Sequence, residues 1–293
     1  MHPGQATEPT VPKKTIIRDG VEYFPRQDIT TVLVLGIDRT GPVEDSGAYS
    51  NTGAADMDIL LIFDEVTKEC TVLQLNRDTM LEMPVLGLGG KPAGTYYGQL
   101  ALAHTYGSGL EDSCENTRDA ISDFLYGNRI DYYVSMNMDA IAILNDAVGG
   151  VTVNVTEDFS AVDPTITKGK LTLKGQQAIT YVRSRQGVGD QQNTSRMTRQ
   201  QEYLRGFLEA FRAKHEAEPE FILKAYEDAS DYLISDCTAN AINALATRYG
   251  EYEIAEIVTP AGKSVAGEQY MEFYPDEKKL DALILRLFYA PKE

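Results

Sequence analysis

Five arginines fall between residues 181 and 205 of a 293-residue chain whose formal net charge is −17: Arg183, Arg185, Arg196, Arg199 and Arg205, against only Asp190 and Glu202. No lysine is among them. A guanidinium presents a rigid planar fork of donors that matches phosphate or carboxylate, which an ammonium does not. Arg183 and Arg185 are two apart, so on a strand both would point to one face. The stretch 175–183 also reads as helical, which leaves that strand placement open. Arg196, Arg199 and Gln200 stand at i, i+3 and i+4 and would share a helix face. A strand, a polar loop and a helix would then aim four guanidiniums at one point, a site for a multiply charged anion. The alternative reading is a set of surface ion pairs with the many acids of the chain.

Further charged points close or open apolar runs. Asp38 follows 30–37 (TTVLVLGI), Asp56 and Asp58 stand at the start of 58–63 (DILLIF), and Asn76-Arg77-Asp78 follows 70–75 (CTVLQL). In layered α/β folds, sites gather outside the carboxyl ends of strands. Asp38 and Asp56 come together if their strands are neighbours. Two carboxylates are a usual protein contribution to a Mg²⁺ ion that also holds phosphate oxygens. The alternative is that each caps a turn or a strand. His104, alone in a short helical stretch, reads as structural. No phosphate-binding glycine motif of the GxxxxGK[ST] or GxGxxG type occurs.

The elements that must position these residues follow from the pattern. Buried strands are expected at 30–37, 58–63 and 70–75, the last two as a hairpin, with further strands at 131–136, 151–155, 254–259 and 270–274. Helices are expected at 111–125, 139–148 (closed by Gly149-Gly150), 196–214, 219–233, 238–249 and 276–288. Residues 82–98, with Pro84 and Pro92, and residues 260–269 read as loops. This alternation predicts an α/β fold: an α/β/α layered domain with a mixed central sheet and helices on both faces. Residues 1–28 read as a flexible leader or linker ahead of one domain over 29–293. The acidic balance argues against nucleic acid as a partner. Three cysteines in no CxxC pattern and three histidines give no zinc spacing, and leave open one disulfide or three reduced thiols. No apolar run reaches the roughly 18–20 residues of a membrane span.

Taken in order, GIDRT, AADMDILLIFD, LQLNRDTM, QLALAHTYGSG, NDAVGGVTVNV, LKGQQAITYVRSR and NTSRMTRQQ resemble the LytR-CpsA-Psr family of cell-wall glycopolymer ligases, over roughly residues 29–214. The resemblance implies an α/β/α domain on the outer face of a Gram-positive cell membrane. It implies anchoring by an N-terminal membrane helix that is missing here, and a long apolar pocket for a polyprenyl chain. It implies a phosphotransferase that moves a glycopolymer from a polyprenyl-pyrophosphate carrier to peptidoglycan, with pyrophosphate hydrolysis as an alternative. A non-catalytic binder of anionic lipid or polymer is the rival from another class. On this resemblance Asp38 and Asp56 match the magnesium-binding aspartates. Arg77, Arg183, Arg185 and Arg196 match the pyrophosphate-binding arginines, Arg199 and Gln200 lie in the same motif, and Gln99 stands at a substrate-binding position. Three departures stand out. Ala54 occupies a position where the family often has Arg, Gln99 one where it often has Lys, and Asn193 one where it often has Asp. His104 and Arg39 are candidates to make good the missing positive charge. Candidates for the apolar pocket are Leu100, Leu102, Leu125, Tyr126, Ile141, Leu144, Phe207 and Leu208.

Overall fold

Ile29–Ile37 carries apolar or β-branched side chains on both of its faces, which suits only a strand covered from both sides. In the computed structural model, which describes residues 15–292, this segment is the centre of a six-stranded sheet. The strands are β1 (Ile29–Ile37), β2 (Ala55–Asp64), β3 (Glu69–Leu75), β4 (Tyr132–Asn137), β5 (Leu233–Ser235) and β6 (Glu253–Val258), in spatial order β5-β4-β1-β2-β3-β6. β4 runs parallel to β1 and β6 parallel to β3, while the β1–β2, β2–β3 and β4–β5 pairs are antiparallel. The sheet is therefore mixed.

The helices are α1 (Glu111–Phe124), α2 (Met138–Ala147), α3 (Gln176–Arg183), α4 (Asn193–Ala217), α5 (Phe221–Ala229), α6 (Ala239–Tyr249) and α7 (Glu277–Phe288). Leu33, Leu35 and Ile37 of β1, with Leu60 and Ile62 of β2, pack against α1 and α7 on one face. The alternate residues Val34, Ile59 and Leu61 turn to the other face, towards Leu204 of α4 and Leu245 and Tyr249 of α6. The two-residue period of the strands thus divides one apolar run between two layers. An α/β/α sandwich results. A third cluster unites α2, α3 and α4 with the hairpin Val151–Val155/Gly169–Leu173. Gly206 lets α4 lie flush on that hairpin, since a Cβ there would stand 2.5 Å from the Thr152 carbonyl oxygen.

The stretch 82–98, expected as a loop, belongs to a hairpin, and the loop expected at 260–269 holds a strand that pairs with the strand expected at 270–274. Met80–Leu86 pairs with Pro92–Gln99, and Gly262–Ala266 with Met271–Pro275. The prolines are accommodated because each hairpin has only two strands. Pro92 opens its strand, and a register shift follows Pro84, so the missing N–H groups break no central ladder. Leu100–Tyr106 is a 3₁₀ segment. Within the stretch read as a leader, Ile16–Arg18 and Val21–Pro25 pair with each other, and the second pairs with Tyr289–Pro291 near the chain's end. The three cysteines are buried and unpaired.

Candidate active site

The site forms where β1 ends, β2 begins and β3 ends. Asp38 follows β1 and its N–H donates to the Ala54 carbonyl (2.9 Å), which sets it beside Asp56, the second residue of β2. A register shift at Ile37–Ala55 makes this juxtaposition. Arg77, just past β3, is ion-paired to Asp56 Oδ1. Arg196, in the first turn of α4, reaches Asp56 Oδ2 from the opposite side at 2.7 Å. Asp56 is thus clasped by two guanidiniums, and its side chain keeps 10% of its exposure. Asp38 is more open, at 38%, and pairs with Arg183 at 2.8 Å.

Arg183 is the last residue of α3, and Ser184 is extended, so Arg183 and Arg185 leave a helix end rather than share a sheet strand. Both are exposed. Among the described residues Arg185 makes no ion pair, although it acts electrostatically on Asp78. α4 begins at Asn193, three residues before Arg196, and no side chain caps its N-terminus. A 25-residue helix therefore turns its unsatisfied N–H groups and the positive end of its dipole towards the same point.

Asn193, Asn76 and Asp58 complete the frame. Asn193 Oδ1 accepts from Arg196 Nη2 (2.7 Å) and Nε (3.2 Å), while its amide donates to Asn76 Oδ1 (2.8 Å). The resemblance marked Asn193 as a departure without giving it a partner; the i, i+3 spacing places it and Arg196 on one helix face. Asp58, on β2, is fully buried, and neither carboxylate oxygen has a hydrogen bond. Burial, reinforced by the nearby Asp56 charge, pushes its carboxyl up to about 8. Asp58 is then protonated at neutral pH, and the cluster holds four arginines (Arg77, Arg183, Arg185, Arg196) against the carboxylates Asp38, Asp56 and Asp78. Burial also raises Asp78, which accepts from Gln99 Nε2 at 2.9 Å.

Four further candidates are engaged within the protein. Arg199 is buried and donates to the Tyr181 carbonyl (3.1 Å) and the Ser184 carbonyl, pairs with Glu157, and lies over the Phe159 ring at 5.6 Å. It ties α4 to the segment that carries Arg183 and Arg185. Gln200, also buried, accepts from Gln74 (3.0 Å) and donates to the Val182 carbonyl (3.3 Å). Gln99 spends its amide on Asp78 and on the Met271 carbonyl (2.8 Å). His104 bonds the Gly53 carbonyl through Nδ1 (2.8 Å), and burial lowers it to about 4. It therefore supplies no positive charge at neutral pH. It fixes the loop that leads into Asp56.

α4 continues from the site to an apolar cavity of about 220 Å³ between β1–β3 and α6, lined by Val32, Leu61, Phe63, Phe207, Leu208 and Phe211 among others. A second cavity of about 160 Å³, towards α5, shares Phe207, Phe211, Val134 and Ile242 with it. Phe207 lies eleven residues beyond Arg196, about 16 Å along the helix. Of the pocket candidates, Leu144, Phe207 and Leu208 line these cavities. Leu100, Leu102 and Leu125 belong to the α1/α7 core, Ile141 to the third cluster, and Tyr126 is exposed. Between the arginines and the cavity, Gln74, Gln200 and Gln201 form a bonded trio (3.0 and 2.7 Å).

The model of the LytR_cpsA_psr family matches residues 6–286. The chain belongs to this family. Among curated relatives, the polyisoprenyl-teichoic acid–peptidoglycan teichoic acid transferase TagU of Bacillus licheniformis is 28% identical over 191 residues, 65% of this chain and 55% of the relative. TagU of Enterococcus faecalis is 34% identical over 155 residues, 53% of this chain and 45% of the relative. The chain therefore spans about half the length of the curated relatives it matches. The fold is shared with B. subtilis TagV (TM-score 0.67, 22% identity, 89% of this chain and 96% of that one). It is also shared with TagT bound to LI-WTA (TM-score 0.67, 21% identity, 89% and 90%). Among the described residues no helix is long and apolar enough to cross a membrane.

Proposed function

We propose that this LytR-CpsA-Psr domain transfers a glycopolymer from a polyprenyl-diphosphate carrier to peptidoglycan, at the outer face of the cell membrane. The transferase names of its TagU relatives support the reading. The observation that carries it is α4, a single helix with Arg196 and uncapped N–H groups at one end and an apolar cavity along its length. A lipid diphosphate has that shape: a polyanionic head and a long hydrocarbon tail.

The diphosphate binds among Arg77, Arg183, Arg185 and Arg196, and the tail runs past Gln74 and Gln200 to Phe207 and Phe211. Arg77 and Arg196 exchange Asp56 for phosphate oxygens, and Arg183 exchanges Asp38. Among the described residues no group of three or more His, Cys, Asp or Glu is placed to hold a metal. Two hard carboxylates on adjacent strands fit Mg²⁺ only when phosphate and water complete its shell, and Asp38 and Asp56 are the residues that would hold it. Bound there, Mg²⁺ would supply charge neutralisation to the phosphoryl group. A peptidoglycan sugar hydroxyl attacks the sugar-proximal phosphorus. The new P–O bond forms as the bridging P–O bond breaks, and polyprenyl phosphate leaves. The guanidiniums stabilise the charge that develops on the leaving phosphate. Asp38 and Asp56 are the nearby carboxylates that could take the hydroxyl proton, and Asp38 is the more open of the two.

Incubation with a polyprenyl-diphosphate sugar and peptidoglycan fragments, with Mg²⁺ or with chelator, tests this. Transfer that depends on the acceptor and is lost in the Arg183→Ala/Arg185→Ala double variant is expected. Unchanged lipid-diphosphate binding and transfer in that variant would refute the assignment, and turnover to free phosphate alone would make water the acceptor.

A further inference from the structure

Six of the thirteen large apolar side chains exposed among the described residues lie on the two hairpins Met80–Leu86/Pro92–Gln99 and Gly262–Ala266/Met271–Pro275: Tyr96, Tyr97, Val265, Tyr270, Met271 and Tyr274. Single exposed apolar residues need no explanation, but a contiguous group does. The hairpins are joined to each other and to the site. Phe273 N–H donates to the Asp78 carbonyl (2.8 Å), and Gln99 bridges Asp78 and the Met271 carbonyl. Tyr96 packs on the Tyr106 ring (centroids 5.5 Å apart) and acts electrostatically on Tyr270. Tyr274 donates to Glu272 (2.6 Å). The rings therefore stand on hairpins bonded at Asp78, the residue after Arg77.

We propose that this tyrosine platform docks a glycan strand of the acceptor peptidoglycan, an inference that rests on the transferase reading above. Tyrosine offers an apolar face to the C–H face of a pyranose ring and a hydroxyl to the sugar's hydroxyl and acetamido groups. Position separates the acceptor from the donor. The hairpin Met80–Leu86 packs through Leu81 and Met83 into the α1/α7 core, whereas the lipid cavity lies on the α4/α6 side of the sheet. Donor and acceptor then approach the phosphorus from opposite faces. Charge disfavours a bilayer there: Glu82 and Glu272 rim the platform, and their carboxylates repel anionic phospholipid.

The test is calorimetric titration of wild type and of Tyr97→Ala/Tyr270→Ala with three probes: soluble β-1,4-linked N-acetylglucosamine–N-acetylmuramic acid oligomers, a short-chain polyprenyl-diphosphate sugar, and phosphatidylglycerol vesicles. The glycan affinity is expected to fall about tenfold in the variant. Lipid-diphosphate affinity stays unchanged, and vesicles bind neither protein. Tyr97→Phe/Tyr270→Phe, which keeps both rings, retains more of the glycan affinity than the alanine pair, and matching thermal melts exclude misfolding. Unchanged glycan affinity in the alanine pair, no glycan binding by wild type, or tyrosine-dependent vesicle binding overturns the proposal. Failure of wild type to bind the lipid diphosphate would instead strike at the arginine site, because the glycan probe reads the platform by itself.

Discussion

Arg185 and Arg199 lie fourteen residues apart in one arginine-rich stretch, yet the first is exposed and the second buried and bonded, and alanine at each position tests whether they do different work. Arg185 is exposed and makes no ion pair among the described residues, so Arg185→Ala should change stability by less than ~0.5 kcal/mol. It should instead weaken diphosphate binding, by ~1.5–3 kcal/mol for loss of a hydrogen bond to a charged group, or roughly 10- to 100-fold. Arg199 keeps only 5% of its exposure and serves Glu157 and the carbonyls of Tyr181 and Ser184. Its removal strands two carbonyls in the interior and leaves Glu157 without its partner. Breaking a buried pair in this way costs ~3–5 kcal/mol. Glu157 retains 20% of its side-chain exposure, which places the expectation at the lower end. Urea denaturation gives the stability, and calorimetry with a lipid diphosphate gives the affinity. A further variant, Glu157→Gln, should recover part of the Arg199 effect on stability and leave affinity unaltered. If Arg199→Ala proved as stable as wild type and bound diphosphate as poorly as Arg185→Ala, Arg199 would be a substrate ligand and the bracing argument would be wrong.

Asp58 binds its proton more tightly folded than unfolded, so between about pH 4 and 8 the unfolded state carries fewer protons and stability falls as pH rises, by up to ~1.4 kcal/mol per pH unit. In metal-free buffer, Asp58→Asn should lack this component, and equal slopes of melting stability for the two proteins would contradict it. Phe207→Trp puts a larger ring into the apolar cavity and should raise the KM of a long-chain lipid substrate several-fold while leaving a short-chain analogue unaffected; equal effects on both would place the tail elsewhere. Burial pushes the thiols of Cys70 and Cys114 up to about 12. Neither should react with iodoacetamide at pH 8 in the native protein, and both should in urea, as mass spectrometry would show.

The layered fold was legible because β1, β2 and β3 carry unbroken apolar runs, and because α1, α2, α6 and α7 show helical spacing with identifiable caps. Thr238 and Asp276 accept from Ala241 and Lys279 N–H groups at the starts of α6 and α7. The pairing of the two hairpins was only partly legible: the strand at 270–274 was expected, but Pro84, Pro92 and the glycines made 82–98 read as a loop, and Gly262–Ala266 is exposed throughout, so no period-two burial marks it. Arg77, Arg196, Asp38 and Asp56 could be brought together on paper because each stands at an end of an element. The division of labour among Arg183, Arg185, Arg199 and Gln200 could not. It depends on α3 ending at Arg183 and on which carbonyls lie beneath α4, contacts between segments that spacing along one segment does not encode. Asp58 reads in the sequence like a strand opener, and only the pairing of β2 with both β1 and β3 shows that it is enclosed.

The resemblance raised a charge problem, because Ala54 and Gln99 stand where basic residues are common. The geometry around Asn193 bears on it. An aspartate there would pair with Arg196 and spend its charge, and it could not donate to Asn76. The neutral amide does both jobs that the frame needs, accepting from Arg196 and donating to Asn76, and leaves the guanidinium's charge uncompensated on that side. A protonated Asp58 removes a second negative charge from beneath the cluster. Asn193 and the protonated Asp58 thus leave two positions beside the arginines without negative charge, which favours a diphosphate where Ala54 and Gln99 supply no cation. It follows that Asn193→Asp should weaken diphosphate binding despite being nearly isosteric, whereas restoring a cation with Gln99→Lys should not strengthen it. The new ammonium would have to break the Gln99 bond to the Met271 carbonyl and would fall against Asp78 instead of the substrate.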